Sequence, residues 1–182
     1  MGATRRGGAG AHGLVVRDER ADDEAAVDEL VSAAFDHRPN EVALVRGLRR
    51  GRPPALSRVA VVGEEVVGHA MLSPLGLGDA DVGLLGLAPV AVAPSWQGRG
   101  VGSRLTEDAL AVADARGAPA VVVLGEPSYY GRFGFVPAAD RKMAPPTGVD
   151  VRAFMVRPLS SYRPSLRGTV RYPPLFADTG TL

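Results

Sequence analysis

The first clear pattern in the chain is a stripe of apolar residues at helical spacing. They stand at i, i+3, i+4, i+7 and i+8, and they are Val27, Leu30, Val31, Ala34 and Phe35. A short strand is predicted before them at 14–17, and Asp22 and Asp23 are candidates for the helix N-cap. The segment 37–40 breaks the stripe, and a second helix is predicted over 41–50.

Runs of β-branched and apolar residues then predict the strands of a sheet. Residues 58–62 and 66–73 flank a polar turn at 63–65, which is the pattern of a hairpin. Residues 82–92 are almost continuously apolar, as in a strand that is buried on both faces. Shorter elements follow, predicted as strands at 120–124, 135–136 and 152–156 and as a helical turn at 128–133.

A Gly-rich turn joins the longest predicted strand to a helix that ends before Gly117, a C-cap residue. The order of elements predicts an α/β (α+β) fold with a single mixed, mostly antiparallel sheet flanked by helices. We expect residues 14–176 to form this one domain, with the Pro- and Arg-bearing segment 158–176 wrapping its surface. Residues 1–13 are expected to be a disordered tail and residues 177–182 a frayed end.

The composition narrows the classes of protein and of site. The chain has 182 residues, 46% of them hydrophobic, which suits one soluble domain. Basic and acidic residues nearly balance at 21 and 20, which argues against a nucleic-acid-binding protein. No apolar run approaches the roughly 20 residues of a membrane span, so we expect a cytoplasmic protein without a membrane partner. There is no Cys, and the three His residues lack ligand spacing, so no metal is expected.

Gly98, Gly100 and Gly102 lie at the start of a predicted helix. Glycines there leave backbone N–H groups open to a phosphate, and the helix dipole favours its negative charge. Two other interpretations stay open. The glycines could serve only a tight turn, or the acid Glu126 after the next strand could belong to a Rossmann-type dinucleotide site. Ser103 stands at the third glycine position of that fingerprint, which counts against the Rossmann interpretation.

Two motifs resemble the GNAT superfamily of N-acetyltransferases. The stretch 87–102, with Pro94, Gln97 and the glycines that follow, is similar to the family's acetyl-CoA motif. Residues 129–135 (YYGRFGF) resemble its second signature, a Tyr followed at fixed spacing by Gly-Phe. The resemblance runs over about 14–135 and is closest to a subgroup of predicted N-acetyltransferases of unsettled substrate. It implies the GNAT-like acyl-CoA N-acyltransferase fold, with acetyl-CoA as the acyl donor.

The resemblance also implies which residues hold the coenzyme. In the family, pantetheine lies between the strand before the loop and the strand after the helix, which splay apart. Carried over, backbone groups of Val90 and Val92, with Ala91 between them, would bind the pantetheine amides. Because Pro89 has no N–H, the donor to the thioester oxygen is expected at Val90. The pyrophosphate would be held by backbone N–H groups of the loop, namely those of Gln97, Gly98, Arg99, Gly100, Val101, Gly102 and Ser103.

Acetyl transfer to an amine needs a group that takes the amine's proton and a group that stabilises the departing thiolate. Tyr130 matches the Tyr of the second signature and is expected to be the general acid, or to hydrogen-bond the thiolate. The alternative is an aromatic residue that only packs. Tyr129 is the weaker candidate, because adjacent helical side chains point about 100° apart. Glu126, at the end of the strand that lines the cleft, is the candidate base or a solvated carboxylate.

The identity of the base stays open, since other residues are candidates. His69 is more simply a packed, hydrogen-bonded residue of the sheet. Asp36, His37 and Glu41, between the first two helices, lie where family members often bind the acceptor, although an exposed polar loop is the simpler interpretation.

We therefore expect an N-acetyltransferase that moves an acetyl group from acetyl-CoA to a primary amine of a small molecule or peptide, by direct attack in a ternary complex. A rival from a different class is a non-catalytic acyl-CoA-binding or regulatory module on the same fold, which would not need Tyr130. The sequence does not identify the amine, the acyl length or the oligomeric state, for which a homodimer is one option.

Overall fold

The computed structural model describes residues 13–51 and 55–182. The tail predicted over 1–13 thus lies outside the described residues, except for Gly13. The helices are α1 (Glu24–Ala34), α2 (Pro39–Arg50), α3 (Val101–Ala115), α4 (Pro127–Tyr130) and α5 (Pro174–Asp178). The strands are β1 (Leu14–Asp18), β2 (Leu56–Val62), β3 (Glu65–Leu77), β4 (Ala80–Val92), β5 (Ala120–Leu124), β6 (Val136–Pro137), β7 (Met143–Ala144), β8 (Phe154–Pro158) and β9 (Gly168–Arg171).

The strands of the described residues form one sheet. Its main path runs in the order β1-β2-β3-β4-β5-β8-β6, and β9 joins the far end of β3 with β7 beside it. Neighbours on the main path are antiparallel except for β4 and β5, which run parallel. The predicted fold class, a mixed and mostly antiparallel sheet flanked by helices, is confirmed.

β4 and β5 diverge soon after they meet. Among the described residues they pair at two positions only, Leu85 with Val121 and Gly86 with Val122. Beyond this point the two strands are not hydrogen-bonded to each other, although β4 runs on to Val92. The sheet therefore opens between the end of β4 and the end of β5, and we call this opening the β4–β5 gap.

The N–H groups of β4 beside the gap have a defined direction. Ala93 donates its N–H to the carbonyl oxygen of Val67 at 3.0 Å, on the β3 side. Backbone N–H groups alternate in direction along a strand. Those of Val90 and Val92 therefore point away from β3 and into the β4–β5 gap.

α3 lies on one face of the sheet, close to β3. A Cβ placed on Gly68 would lie 2.8 Å from side-chain carbons of both Val101 and Leu105. Two carbon atoms cannot approach so closely, since their optimal separation is about 3.5–4.0 Å. The missing side chain of Gly68 therefore sets the depth at which the first turns of α3 pack on the sheet.

α1 and α2 cover the opposite face. Val27 and Val31 of α1 and Val45 of α2 are fully buried against Met71 and Ala91 of the sheet. The predicted stripe of α1 is confirmed at its three buried members, which are Val27, Leu30 and Val31.

Several element boundaries differ from those predicted. α2 begins at Pro39 and not at residue 41, because a Pro in the first turn lacks only an N–H that would have no partner within the helix. Asp23 stands at the N-cap position of α1, as predicted, but its carboxylate accepts the N–H of Arg20 at 2.7 Å in the short 3₁₀ turn Ala21–Asp23 and makes no hydrogen bond to an N–H of α1. The strand predicted over 152–156 spans Phe154–Pro158, because the Asp150 carboxylate accepts the N–H of Arg152 in a turn.

The segment 158–176 is more than a surface wrap, and that prediction was wrong. It contains β9 and the start of α5, with Val170 and Phe176 buried in the core. The bounds predicted for the domain, 14–176, and for the frayed end, 177–182, stay predictions.

None of the helices in residues 13–51 and 55–182 has the length and apolar character needed to cross a membrane. In the same residues, no three His, Asp or Glu side chains come together as a metal site would require.

Candidate functional site

The Gly-rich loop ends in the N-terminus of α3. Gly98 and Gly100 have φ values of 71° and 85°, a left-handed conformation that suits glycine. Gly100 is the N-cap, and nothing lies within 4 Å of where its Cβ would be. The first N–H groups of α3 therefore have no intrahelical partner and face open space, as an anion site requires.

A cleft of about 440 Å³ lies at this helix start. It is lined by the end of β4 at Val92 and by the loop with the first turn of α3, up to Ser103. Tyr129 and Arg132, from the segment that follows β5, also line it. Of the residues predicted to bind the coenzyme, the cleft brings together Val92, Gln97, Gly98, Gly100, Val101, Gly102 and Ser103.

Gln97 fixes the loop to the strand before it. Its side-chain amide donates a hydrogen bond to the carbonyl oxygen of Val92 at 3.1 Å. Arg99 does not line the cleft, since its guanidinium stacks on Trp96 at 5.3 Å from the ring centre. Val90 and Ala91 lie further back on β4, where the N–H of Val90 points into the β4–β5 gap and that of Ala91 points toward β3.

Tyr129 and Tyr130 occupy different surroundings although they are adjacent. Their rings meet edge-to-face, with centroids 4.9 Å apart and planes at 81°. Tyr129 faces the cleft, where its hydroxyl oxygen would lie 2.9 Å from a Cβ on Gly102. Tyr130 instead covers Gly125 at the end of β5, where its ring leaves no room for a Cβ, and packs on Phe135 with centroids 5.5 Å apart.

Burial raises the pKa of Tyr130 to about 12. The neutral form of the hydroxyl is favoured because the charged phenolate would lose its solvation. Tyr130 therefore remains a hydrogen-bond donor over the whole neutral and moderately alkaline range.

Glu126 is the N-cap of α4. Its Oε1 accepts hydrogen bonds from the N–H of Ser128 at 3.3 Å and from the Ser128 hydroxyl at 3.1 Å. The side chain is exposed at the end of β5, next to the segment that carries both tyrosines. The two Ser128 contacts show that the Glu126 carboxylate is oriented by its capping of α4. Its role as a base stays a prediction.

His69 lies on the other face of the sheet, away from the cleft. It is fully buried, and its Nε2 lies 2.8 Å from the hydroxyl of Ser57 and 3.7 Å from the carboxylate of Glu19. Burial lowers the pKa of His69, which favours the neutral ring. Burial also raises the pKa of Glu19, but the nearby His69 ring and the hydrogen bonds from Arg49 and Ser57 outweigh it and bring the pKa to about 2. The interpretation of His69 as packed and hydrogen-bonded is confirmed.

Asp36 and His37 lie in the turn between α1 and α2. Both have positive φ, 54° and 59°, which is uncommon outside glycine, and the His37 ring lies 3.2 Å from the Ser32 hydroxyl. His37 lines a surface groove between α1 and α2 that shares no residue with the cleft. One carboxylate oxygen of Glu41 is buried and has no hydrogen-bond partner among the described residues.

The sequence interpretation missed Trp96 and Arg132, and it assigned Tyr129 no role beyond that of a weaker candidate acid. Arg132 carried a usable signal, since it follows Tyr129 by three residues and one helical turn brings such side chains together.

The chain is similar to known acetyltransferases in sequence. The model of the Acetyltransferase (GNAT) family matches residues 18–135. The uncharacterized N-acetyltransferase YjhQ of Escherichia coli is 34% identical over 157 residues, which cover 82% of this chain and 86% of that protein. YhbS, another uncharacterized N-acetyltransferase of that bacterium, is 34% identical over 127 residues, or 69% of this chain and 75% of YhbS.

Two crystal structures resemble the fold over most of its length. The GNAT family N-acetyltransferase YhbS of Escherichia coli in complex with CoA has a TM-score of 0.85 at 30% identity, covering 90% of this chain and 92% of its own. A GNAT family acetyltransferase of Brucella melitensis in complex with acetyl-CoA has a TM-score of 0.76 at 33% identity, covering 91% and 99%.

Proposed function

Because the chain belongs to the GNAT acetyltransferase family, and so to the acyltransferases, we propose that it moves an acetyl group from acetyl-CoA to a primary amine of a small molecule or peptide. The observation that carries the proposal is the cleft at the start of α3 together with the β4–β5 gap beside it. Together they offer an anion site continuous with a slot lined by outward-pointing N–H groups.

The coenzyme fits this arrangement in one direction. Its pyrophosphate would accept hydrogen bonds from backbone N–H groups between Gln97 and Ser103, where the helix dipole adds favourable charge. Pantetheine would follow β4 into the gap, with its amides bound by backbone groups of Val90 and Val92. The CoA and acetyl-CoA complexes of the two similar proteins support this assignment.

The reaction needs no covalent enzyme intermediate. The amine nitrogen attacks the thioester carbon, the C–S bond breaks, and the thiolate leaves after the amine has lost a proton. An alkylamine with a pKa near 10 is only about one part in a thousand neutral at pH 7, so a base must remove that proton. The N–H of Val90 is the proposed donor to the tetrahedral oxyanion, because Pro89 has none.

Tyr130 is the proposed partner of the departing thiolate. Its hydroxyl belongs to a ring that covers the end of β5, on the border of the gap. With a pKa of about 12 it is a far weaker acid than a thiol near 8.5, so full proton transfer to sulfur is unfavourable. Tyr130 therefore stabilises the thiolate by donating a hydrogen bond, and solvent supplies the final proton.

Glu126 is the proposed base, acting directly or through a water molecule. It is exposed at the end of β5, and its Ser128 contacts hold the carboxylate at the start of α4. The cap leaves capacity for another donor, since an ionised carboxylate has about four acceptor sites.

Two other interpretations of the loop are weaker. A Rossmann-type site requires a parallel sheet, whereas β4 and β5 are the parallel pair of a mostly antiparallel path. A non-catalytic acyl-CoA-binding module would need the cleft but not a hydroxyl at Tyr130, and a Tyr ring at the end of β5, which borders the gap, favours catalysis.

A thiol-release assay with acetyl-CoA and a panel of amines tests the proposal. The panel should contain aliphatic diamines, amino acids and short peptides with free N-termini. We expect at least one amine to release CoA in step with its own acetylation, measured by mass spectrometry. Tight binding of acetyl-CoA without turnover on any amine would favour the non-catalytic module.

A further inference from the structure

Arg132 lines the same cleft as the Gly-rich loop, from a different segment of the chain. Its guanidinium carbon lies 4.6 Å from the centre of the Tyr129 ring, so the two side chains form a cation–π pair. Its Nε also donates a hydrogen bond to the carbonyl oxygen of Tyr129 at 3.2 Å. The two contacts fix the guanidinium at the cleft and leave both terminal NH₂ groups for another acceptor.

The charge of Arg132 is not balanced by a neighbouring acid. In the part of the chain that the structure describes, no carboxylate lies within 4.0 Å of its guanidinium. The other arginines near the loop are engaged elsewhere, since Arg99 stacks on Trp96 and Arg104 lies 3.9 Å from Glu107. Of the described residues that line the cleft, Arg132 is the one with a full positive charge.

The two segments that line the cleft suit the same kind of ligand. In the first, the N–H groups between Gly98 and Ser103 face outward at the positive end of α3. In the second, Arg132 presents a planar guanidinium, which matches two phosphate oxygens at once. A pyrophosphate in the cleft would be bound by both.

Resting on the proposed use of acetyl-CoA, we infer that Arg132 is a positioning residue that holds the pyrophosphate of the coenzyme against the first turn of α3. Tyr129 is the platform that keeps Arg132 in place. Tyr129 contacts both the first turn of α3 and Arg132. Its hydroxyl lies against Gly102, and the face of its ring packs against the guanidinium. Holding the pyrophosphate fixes the point from which pantetheine enters the β4–β5 gap.

The test compares the dissociation constants of CoA and 3′-dephospho-CoA by isothermal titration calorimetry. Both ligands carry the pyrophosphate, but only CoA carries the 3′-phosphate. We expect Arg132→Gln to weaken both ligands by the same factor, about tenfold, which is the usual effect of losing a hydrogen bond to a charged group. Arg132→Lys keeps the charge without the planar geometry and should recover part of the affinity.

Two controls separate a direct contact from a change in folding. Arg116→Gln removes the same charge at the far end of α3, where the residue is exposed, and should bind both ligands as the wild type does. The affinity of the wild type should also fall more steeply with salt than that of Arg132→Gln, because an exposed charge contact is screened. A merely structural role would not change the salt dependence.

The role of Tyr129 is tested by a double-mutant cycle. Tyr129→Phe keeps the ring and should retain most of the Arg132 effect, whereas Tyr129→Leu removes the platform. We expect the Tyr129→Leu/Arg132→Gln double variant to bind CoA no more weakly than Arg132→Gln alone.

The outcomes are distinct. Unchanged affinity of Arg132→Gln for both ligands would overturn the inference, and a loss limited to CoA would move the contact to the 3′-phosphate and overturn the pyrophosphate assignment. Failure of the wild type to bind either ligand would instead refute the proposed function, and the inference would fall with it.

Discussion

Tyr129 and Tyr130 are neighbours in the chain, yet one faces the cleft at the start of α3 and the other the end of β5. The angle of about 100° between successive helical side chains accounts for this division. The pair therefore allows coenzyme affinity and catalytic rate to be altered separately.

Tyr130→Phe should lower kcat and kcat/KM together by about 100-fold and leave the Kd of acetyl-CoA unchanged. The substitution removes the hydroxyl that would bind the thiolate and keeps the ring that packs on Phe135 and Gly125. Because the pKa of Tyr130 is about 12, the wild-type hydroxyl is protonated at pH 7 and at pH 9.5, so the loss should be equal at both. Steady-state kinetics on the best amine, with calorimetry for Kd, measure these values.

Tyr129→Phe is the matched control, since it removes a hydroxyl from the adjacent residue. It should keep kcat within about threefold of the wild type, because Tyr129 faces the cleft and not the β5 end. A Tyr130→Phe enzyme with the wild-type rate would show that solvent alone serves the thiolate.

Glu126→Gln should reduce kcat/KM by about 100-fold at pH 7, the lower end of what general base catalysis supplies. The effect should shrink toward pH 9.5, where more of the amine is already neutral. The amide oxygen of Gln can still accept the N–H of Ser128, so the melting temperature should stay the same. A pH–rate series and a thermal melt measure both quantities.

Glu126→Ala is the companion variant, because it also removes the cap and should cost about 0.5–2 kcal/mol of stability. If Glu126→Gln keeps the wild-type rate at pH 7, the carboxylate is only a cap, and the base must be sought elsewhere.

The individual site residues differed in how far they could be predicted. The Gly-rich loop and Tyr130 belong to local motifs, where a turn of special φ or a fixed spacing from Gly134 marks each position. Arg132 follows Tyr129 by one helical turn, which is a local signal, but its place beside the Gly-rich loop depends on how two distant segments come together, and Trp96 likewise lines the cleft without a local pattern that marks it.

At the scale of the element, the start of α3 combines a left-handed glycine with the open N-terminus of a helix. Gly100 has a φ of 85°, and the space around its missing Cβ is empty. Asn and Asp adopt this conformation more readily than other residues with a side chain, and both are of similar size. They can therefore be used to add a charge at the helix start with little difference in shape.

We expect Gly100→Asp to bind CoA about 100-fold more weakly than Gly100→Asn. A carboxylate placed about 5 Å from a doubly charged pyrophosphate costs roughly 3 kcal/mol at an intermediate dielectric constant. Without ligand, Gly100→Asp should be the more stable of the two variants, because a negative charge is favourable at a helix N-terminus. Calorimetry with CoA and thermal melts of the free proteins measure both.

The comparison between Asp and Asn removes the effect of the side chain's bulk. Equal CoA affinities for the two variants would mean that no phosphate lies at the N-terminus of α3, and that the loop is a packing turn.

Element boundaries were harder to predict than the elements themselves. β3 continues to Leu77 although Pro74 and Gly76 are residues that usually end strands, and it pairs with β4 through this region. The hairpin at Gly78 was therefore missed. The prediction of β8 was displaced by two residues, because Asp150 and Arg152 form a turn where the strand was expected to begin.

At the scale of the whole molecule, the order of helices and strands was enough to predict the fold class. The C-terminal segment was not predictable in this way, because its structure depends on distant partners. β9 pairs with the end of β3 through Arg171 and Gly76, and α5 reaches α2, where a Cβ on Gly47 would lie 2.5 Å from the Leu175 side chain. Neither contact leaves a periodic signal in the segment itself.

Binding of the coenzyme should be visible in the stability of the whole molecule. A ligand that binds only the folded state adds about 2.7 kcal/mol when its concentration is 100 times its Kd. For a chain of this length, that corresponds to a rise in Tm of roughly 5–10 °C. We expect acetyl-CoA and CoA to produce this rise in a thermal melt, and NAD at the same concentration to produce almost none, because the β4–β5 gap suits a narrow pantetheine chain and not a second nucleoside. An equal rise with NAD would contradict the assignment of the cleft to coenzyme A. If none of the three raised the Tm, the proposed binding of coenzyme A would be contradicted.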